Sequence, residues 1–194
     1  MSIIEKYNSM LSEGRTNARK VGWGSEKSQQ KRFEILCEVA NISNATVLDV
    51  GCGLGDFYDY LVSKSIKVEY TGIDINQNMI EKARQGRSAN KFLCADMKSD
   101  YFEENSFDYV FLSGAFNLSE DNHLANVEKT VSKMFAAARS AVAFNIMSLH
   151  APYFGPGEYY ACPEKLLGMM LRLSKKVVLR HDYMDHDFTI YLYK

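Results

Sequence analysis

A glycine-rich turn that follows directly on a short apolar run is the segment of this chain best suited to chemistry. Residues 47–55 read VLDVGCGLG, with Asp49 inside the apolar run and glycines at positions 51, 53 and 55. Glycine adopts positive φ and has no Cβ, so the backbone amides of such a turn approach a ligand closely as a strand passes into a helix. Asp74 lies at the end of the next β-rich run, VEYTGIDI, where a carboxylate accepts hydrogen bonds from ribose hydroxyls. The turn and the acid together predict a site for an adenosine-containing cofactor.

The elements that must position these residues alternate along the chain. From residue 46 onward, short β-rich runs alternate with helical patterns, which is typical of a parallel sheet covered by helices. The last two runs, Lys176–Arg180 and Phe188–Tyr193, are joined by a connection too short for a helix, so we expect them to be antiparallel. The other predicted strands are Thr46–Val50, Val68–Ile73, Lys91–Cys94, Phe107–Leu112 and Ala141–Ile146. Helices are predicted over 26–41, 56–64, 76–86 and 122–139, the third of them capped by Asn76.

Chain length predicts a single domain. With 194 residues the chain suffices for one sizeable core and is short for two independent ones. We therefore expect one domain over 1–194, with a core from 26 to 194 and a polar N-terminal segment over 1–25.

Charge and composition restrict the classes of partner that the sequence favours. The 23 basic and 24 acidic residues nearly balance, which favours a small ligand over nucleic acid or an anionic membrane. The longest apolar stretch, Leu166–Leu171, is too short to span a bilayer, and the first ten residues lack the pattern of a secretory signal. The four cysteines are widely separated, which predicts neither a metal site nor a disulfide framework. We expect a cytoplasmic protein that is a monomer or a homodimer.

The motifs around the glycine turn place the chain near a known family. Over about residues 45–147, and again through the C-terminal hairpin, it resembles the class I S-adenosylmethionine-dependent methyltransferases. The resemblance implies an α/β fold: a three-layer Rossmann-like sheet of about seven strands, mostly parallel with an antiparallel C-terminal strand, and helices on both faces. It implies S-adenosyl-L-methionine as the cofactor, with the ribose at Asp74 and Ile75. The methionine part would contact Asp49, Gly51, Cys52, Gly53 and Gly55.

The same resemblance implies an adenine site after the third predicted strand and a methyl-facing segment after the fourth. In the segment LCADM, Asp96 would accept a hydrogen bond from the exocyclic amine of adenine and Met97 would flank the ring. In FLSGAFN, residues from Ser113 to Asn117, Phe116 among them, would form the floor of the site. An Asn/Asp-Pro-Pro-aromatic motif, frequent in enzymes that methylate bases or glutamine, would stand where this chain has SGAFN. Its replacement makes bases and glutamine less favoured as acceptors but does not identify another class. We expect a small-molecule acceptor, with O- or N-methylation.

Structural alternatives stay open for two of these acids. Asp49 could instead bind the backbone amides of the glycine turn and so only hold the turn in place. Asp96 could serve as a turn or helix-cap residue. Both roles need the same position at a strand end, so the sequence does not separate them from ligand contact.

Two other functions are compatible with a glycine turn paired with an acid. An NAD(P)-dependent oxidoreductase requires a glycine at the sixth place of the turn for helix packing and approach of the pyrophosphate, and that place is Asp56. A carboxylate there would repel a pyrophosphate, whereas a sulfonium cofactor with one carboxylate tolerates it. A regulatory subunit that binds the cofactor without catalysis is the second alternative.

The acceptor side of the site is predicted from residues outside these motifs. His150 follows the fifth predicted strand and is our candidate for a general base, ahead of His181 and His186, although for each of these residues an exposed or hydrogen-bonded loop histidine is the commoner case. Tyr153 lies in the proline-rich loop HAPYFGPGEYYACP, which we interpret as a substrate wall or a surface crossover. Trp23, between two glycines, suggests that segment 1–25 is a lid over the site, the alternative being a disordered terminus whose basic residues are solvated. The remaining acceptor-pocket candidates are Phe116 and Asn117.

Overall fold

Seven strands form one sheet in the computed structural model, which describes residues 3–12, 25–87 and 92–194. In chain order, β1 to β7 span Thr46–Val50, Glu69–Asp74, Phe92–Cys94, Phe107–Ser113, Ala138–Met147, Lys176–Arg180 and Asp187–Tyr193. The order across the sheet is β3-β2-β1-β4-β5-β7-β6. β7 is antiparallel to both of its neighbours, and the pairs among β1 to β5 are parallel. The predicted mixed sheet with an antiparallel final strand is confirmed.

Helices cover both faces of this sheet. In chain order, α1 to α6 span Ile3–Ser12, Glu26–Cys37, Asp56–Ser63, Gln77–Ala83, His123–Ala137 and Pro163–Met170. One face of the sheet packs against α2, α3 and α4 around Phe33, Phe57 and Ile80, and the other packs against α5 and α6 around Val131 and Leu166. The predicted three-layer α/β architecture is therefore confirmed.

Local sequence explains where several of these helices begin. The Asn76 side chain accepts a hydrogen bond of 3.0 Å from the Asn78 amide and caps α4, as predicted. The Ser25 side chain caps α2 in the same way through the Ser28 amide. Pro163 occupies the first turn of α6, where its missing N–H costs no hydrogen bond.

Two helices were not predicted from the sequence, and several boundaries differ from the prediction, the start of β5 most among the strands. We predicted no helix over the N-terminal segment or over the residues after the proline-rich loop, yet α1 and α6 form there. β5 begins at Ala138, three residues earlier than predicted, because Ala138 already pairs with Phe107 on β4. Within the described ranges, no helix has the length and apolar character needed to cross a membrane.

Candidate active site

A cavity opens at the carboxyl ends of β1, β2 and β4, on the side where the glycine turn leaves β1. The turn is held against β2, because the Gly51 and Cys52 amides donate to the Ile73 carbonyl at 2.8 and 2.9 Å. The carboxyl ends of neighbouring parallel strands form the binding crevice of open α/β sheets. This cavity therefore occupies the position at which such a sheet binds its ligand.

Asp74 connects the two strand ends that border the cavity. One of its carboxylate oxygens accepts a 2.9 Å hydrogen bond from the Gly53 amide, and the other accepts a 2.8 Å bond from the Asn76 amide. Burial raises the pKa of Asp74, while these two bonds lower it. The carboxylate thus orders the glycine turn and also lines the cavity.

Asp49 lines the same cavity but has a different partner. It is 2 % exposed, and its Oδ2 accepts a hydrogen bond of 2.5 Å from the Tyr70 hydroxyl. Burial raises the pKa of Asp49 to about 7, against the lowering effect of the Tyr70 bond. The acid that accepts a hydrogen bond from an amide of the glycine turn is Asp74, through Gly53. Asp49 accepts from Tyr70 instead, so the structure does not show Asp49 holding the turn.

The predicted adenine and floor residues also border the cavity. Asp96 is half-buried and its Oδ1 accepts a 2.8 Å hydrogen bond from the Lys98 amide, so a turn role and a position on the cavity coexist. Met97 beside it is buried. Ser113 is held by the buried Asn145, whose Nδ2 donates to the Ser113 hydroxyl at 3.2 Å.

Nine of the ten predicted cofactor residues line this cavity: Asp49, Gly51, Cys52, Gly53, Asp74, Ile75, Asp96, Met97 and Ser113. Gly55 does not. It begins α3 with φ +83°, and a Cβ there would lie 3.0 Å from the Phe92 ring, so its role is to allow close packing of the turn.

Apolar side chains, which we call the apolar wall, also line the cavity, and most of them were missed from the sequence. Phe33 on α2, Phe116 after β4, and Ile4 and Tyr7 on α1 line it. Gln29, a buried polar residue of α2, also lines it and donates to Asp56 Oδ2 at 3.0 Å. Phe116 was predicted as a pocket residue from FLSGAFN, and for the residues of α2 the available signal was a glutamine on the buried face of an amphipathic helix.

Three predicted acceptor-side residues lie away from the cavity lining. The side chain of His150 is 58 % exposed and its Nε2 lies 3.1 Å from Glu164 Oε1, because the chain turns away after β5. Tyr153 is exposed on the proline-rich loop, and the Asn117 side chain is turned into the protein. The structure thus does not bring these residues to the site, and among the described residues that line the cavity there is no histidine.

The predicted lid is only partly within the described residues. Trp23 lies outside them. Helix α1 belongs to the same predicted segment, and Asn8 on it accepts hydrogen bonds from the Asn76 and Asn78 side chains at 2.9 and 3.1 Å. That a lid spans residues 1–25 stays a prediction.

Gly51 is the position where the cavity tolerates a side chain least. Its φ is +72°, and an added Cβ would lie 2.6 Å from the Ala115 Cβ. We expect Gly51→Ala to weaken binding of S-adenosylhomocysteine by about tenfold or more, because the strained backbone and the clash both move the turn. Isothermal titration calorimetry measures the effect.

Gly86→Ala is the matched control for this substitution. Gly86 has φ +71°, yet an added Cβ would meet nothing within 4 Å. It therefore carries the backbone strain, about 1 kcal/mol, without the clash or any contact with the cavity. Equal affinity of the two variants for S-adenosylhomocysteine would contradict the close-approach role of Gly51.

The strand order, the glycine turn and the acids at the strand ends define a Rossmann-like α/β protein that binds an adenosine-containing cofactor. Residues 47–140 match the model of a family described as "Methyltransferase domain". "Putative methyltransferase Rv1506c" of Mycobacterium tuberculosis (strain ATCC 25618 / H37Rv) is 33 % identical over 159 residues, which cover 77 % of this chain and 93 % of that protein. The chain belongs to the class I S-adenosylmethionine-dependent methyltransferases.

More distant relatives and solved structures are similar to this chain over the same fold. Trans-aconitate 2-methyltransferase of Rhodopseudomonas palustris (strain BisB5) is 27 % identical over 109 residues, and the matched region is 56 % of this chain but only 42 % of that enzyme. Magnesium protoporphyrin IX methyltransferase from Synechocystis PCC 6803, with bound S-adenosylhomocysteine, superposes with a TM-score of 0.69 at 13 % identity, over 98 % of this chain and 93 % of that one. A methyltransferase from Aquifex aeolicus superposes with a TM-score of 0.66 at 17 % identity, over 100 % and 99 % of the chains.

Family membership decides between the cofactor alternatives. The cofactor is S-adenosylmethionine, and the chain is a methyltransferase rather than an NAD(P)-dependent oxidoreductase or a regulatory subunit without catalysis. The residues present fit this cofactor, because Gly51 leaves a cradle that a Cβ would fill and acids stand at the ends of β1 and β2.

Proposed function

We propose that this methyltransferase transfers the methyl group to a small-molecule acceptor, at a nitrogen or an oxygen atom. The observation that carries the proposal is the mixed lining of the cavity. Asp49, Asp74 and Asp96 line it at or near the strand ends, and the apolar side chains of Phe33 and Phe116 also line it. A concave, largely apolar pocket with few polar groups is typical of small-molecule sites.

The residues of the strand ends hold the cofactor in this proposal. Asp49 accepts from the α-ammonium of the methionine part, Asp74 from the ribose hydroxyls and Asp96 from the adenine amine. Bound S-adenosylmethionine supplies a methyl group on a sulfonium, which is open to in-line displacement. The protein has mainly to align the acceptor and exclude water, because correct alignment alone contributes several kcal/mol to the barrier reduction.

The apolar wall excludes water from the site in this proposal. Phe33 and Phe116 are buried and line the cavity, as does Tyr7, whose pKa is raised first by burial and then by the charge of Asp74. These side chains replace water around an acceptor.

The charge of the cavity lining further restricts the class of acceptor. The described lining contains the acids Asp56 and Glu120 in addition to the three strand-end acids, and its one lysine, Lys98, lies 4.0 Å from Glu120. Such a surface attracts cations and repels anions. It supports a neutral or amine acceptor. A molecule with several carboxylates, such as the trans-aconitate of the Rhodopseudomonas relative, does not fit this charge.

A panel of matched aromatic acceptors tests the proposal. Transfer of radiolabelled methyl from S-adenosylmethionine is measured to benzylamine, phenol and benzoate, with an unrelated protein and RNA alongside. We expect transfer to the amine or the phenol at a rate at least about tenfold above that to benzoate. Methylation confined to benzoate, protein or RNA would contradict the proposal, whereas binding of S-adenosylhomocysteine would be unaffected by that outcome.

A further inference from the structure

Tyr70 donates a hydrogen bond to a residue of the cavity although its own side chain does not line the cavity. Its side chain is 2 % exposed and stands outside the cavity lining, on the strand that neighbours β1. Its hydroxyl donates to Asp49 Oδ2 at 2.5 Å. The Tyr70 ring is held between the rings of Tyr58 and Phe92, at centroid distances of 5.1 and 5.7 Å. The hydroxyl is therefore fixed in place beneath a residue of the cavity.

The surroundings of Asp49 otherwise oppose its negative charge. Burial is the largest effect and raises its pKa, and the charges of Asp74 and Asp56 act in the same direction. The charge of Asp49 in turn raises the pKa of the Cys52 thiol, and the cation of Arg87 lowers the pKa of Tyr70. Against burial and these acids, the hydrogen bond from the Tyr70 hydroxyl favours the carboxylate form of Asp49.

We propose that Tyr70 is a positioning residue for cofactor binding, whose hydroxyl keeps the Asp49 carboxylate ionised and oriented toward the α-ammonium of the methionine part. The inference rests on the proposed role of Asp49. It extends the site to a residue that touches neither cofactor nor acceptor. A buried donor aimed at one oxygen leaves the second oxygen free for the ligand, and a hydrogen bond to an ionised group is among the strong ones.

Tyr70→Phe tests this role because it removes the hydroxyl and keeps the ring. We measure the Kd of S-adenosylhomocysteine by calorimetry from pH 6 to pH 8.5. Loss of the hydrogen bond raises the pKa of Asp49 by about one unit, so we expect the variant to bind about tenfold more weakly at pH 6, about fivefold at pH 7 and equally well at pH 8.5. The ratio of the two proteins cancels the titration of the ligand itself.

Tyr193→Phe is the matched control. Its half-buried hydroxyl donates to the Val39 carbonyl at 3.2 Å on the same face of the sheet, and Tyr193 pairs with Ala141 toward the end of the sheet opposite the cavity. We expect this variant to bind S-adenosylhomocysteine as the unsubstituted protein does at every pH. A weakening by Tyr70→Phe that is the same at all pH values would reveal a purely structural role and overturn the proposal.

A second measurement needs no cofactor. Carboxyl carbon-13 resonances of the free protein, with Asp49 assigned by its loss in Asp49→Asn, report the titration midpoint of this residue directly. We expect the midpoint to rise by about one unit in Tyr70→Phe. An unmoved midpoint overturns the role of Tyr70. A moved midpoint with no effect on binding, or full binding by Asp49→Asn, overturns the proposed cofactor role of Asp49 instead.

Discussion

Asp74→Ala is expected to weaken binding of S-adenosylhomocysteine by about a hundredfold. The substitution removes the acceptor proposed for the ribose and also leaves the Gly53 and Asn76 amides, now 2.9 and 2.8 Å from this carboxylate, without their partner. Hydrogen bonds to a charged group contribute about 1.5–3 kcal/mol each, and a hundredfold loss is about 2.7 kcal/mol. Calorimetry gives the Kd, and Asp74→Asn, which retains one acceptor oxygen, should fall between the two proteins.

Glu69→Ala is the control for this prediction. Glu69 begins the same strand, is exposed and stands at the end opposite the cavity. Its removal changes the net charge equally, so we expect unchanged affinity. If Asp74→Ala bound S-adenosylhomocysteine within about threefold of the unsubstituted protein while its thermal unfolding was normal, Asp74 would not be a cofactor residue.

Arg32→Met is expected to lower the free energy of unfolding by about 3–5 kcal/mol, the largest effect on stability that we predict. Arg32 on α2 forms an ion pair with Asp187 at the start of β7, and the two residues are 3 % and 0 % exposed. Methionine fills much of the volume but leaves the carboxylate of Asp187 buried without this cation. Denaturant unfolding measures the loss.

The pH dependence of that loss follows from the pKa of Asp187. Burial raises this pKa, and Arg32 lowers it. Without Arg32, the pKa of Asp187 in the folded state rises further above its unfolded value of about 4, so the folded variant loses stability as the pH rises between the two values. We therefore expect Arg32→Met to be less destabilising at pH 5 than at pH 8.

Two further variants separate the ion pair from its surroundings. Arg180→Met removes an arginine that pairs with Glu38 and Asp182 at the surface, at 2.6 and 2.7 Å, and should cost less than about 1 kcal/mol. Arg32→Met combined with Asp187→Leu should recover most of the loss, because no charge is then left buried. A double variant as unstable as Arg32→Met alone would show that the cost lies in packing around the guanidinium.

This ion pair also bears on the site. It lies one helical turn from Gln29 and next to Phe33, both of which line the cavity from α2. The Tyr191 hydroxyl binds the Ile35 carbonyl on the same helix at 2.6 Å. Helix α2 is thus fixed to the antiparallel strand β7, and this contact sets the position of the apolar wall relative to the glycine turn.

The cofactor side could be predicted from sequence because its signals are local. Spaced glycines and an acid at each strand end specify a turn and a strand terminus within a few residues of each other. The short connection between Lys176–Arg180 and the final strand leaves only an antiparallel pairing, and β6 has those bounds in the structure. Alternation of strands and helices then predicts the sheet.

The acceptor side could not be predicted in the same way. His150 and Tyr153 follow β5 in the chain, but the loop they occupy turns toward Glu164 rather than toward the cavity. The cavity is instead lined by side chains from helices that precede the first strand, namely Tyr7, Gln29 and Phe33. No local pattern links these residues to the glycine turn, since their contact depends on how helices pack on the finished sheet.

The glycine turn shows the same division. By itself, the sequence determined the fold class and the strand ends that carry Asp49 and Asp74, because backbone conformation and periodicity are encoded within short segments, and its resemblance to a known family implied the cofactor. Only the tertiary structure decided which acid holds the turn, that Tyr70 binds Asp49 at 2.5 Å, and that Phe33 lines the cavity. These contacts join residues far apart in the chain, and side-chain packing across strands and helices, rather than any local propensity, selects them.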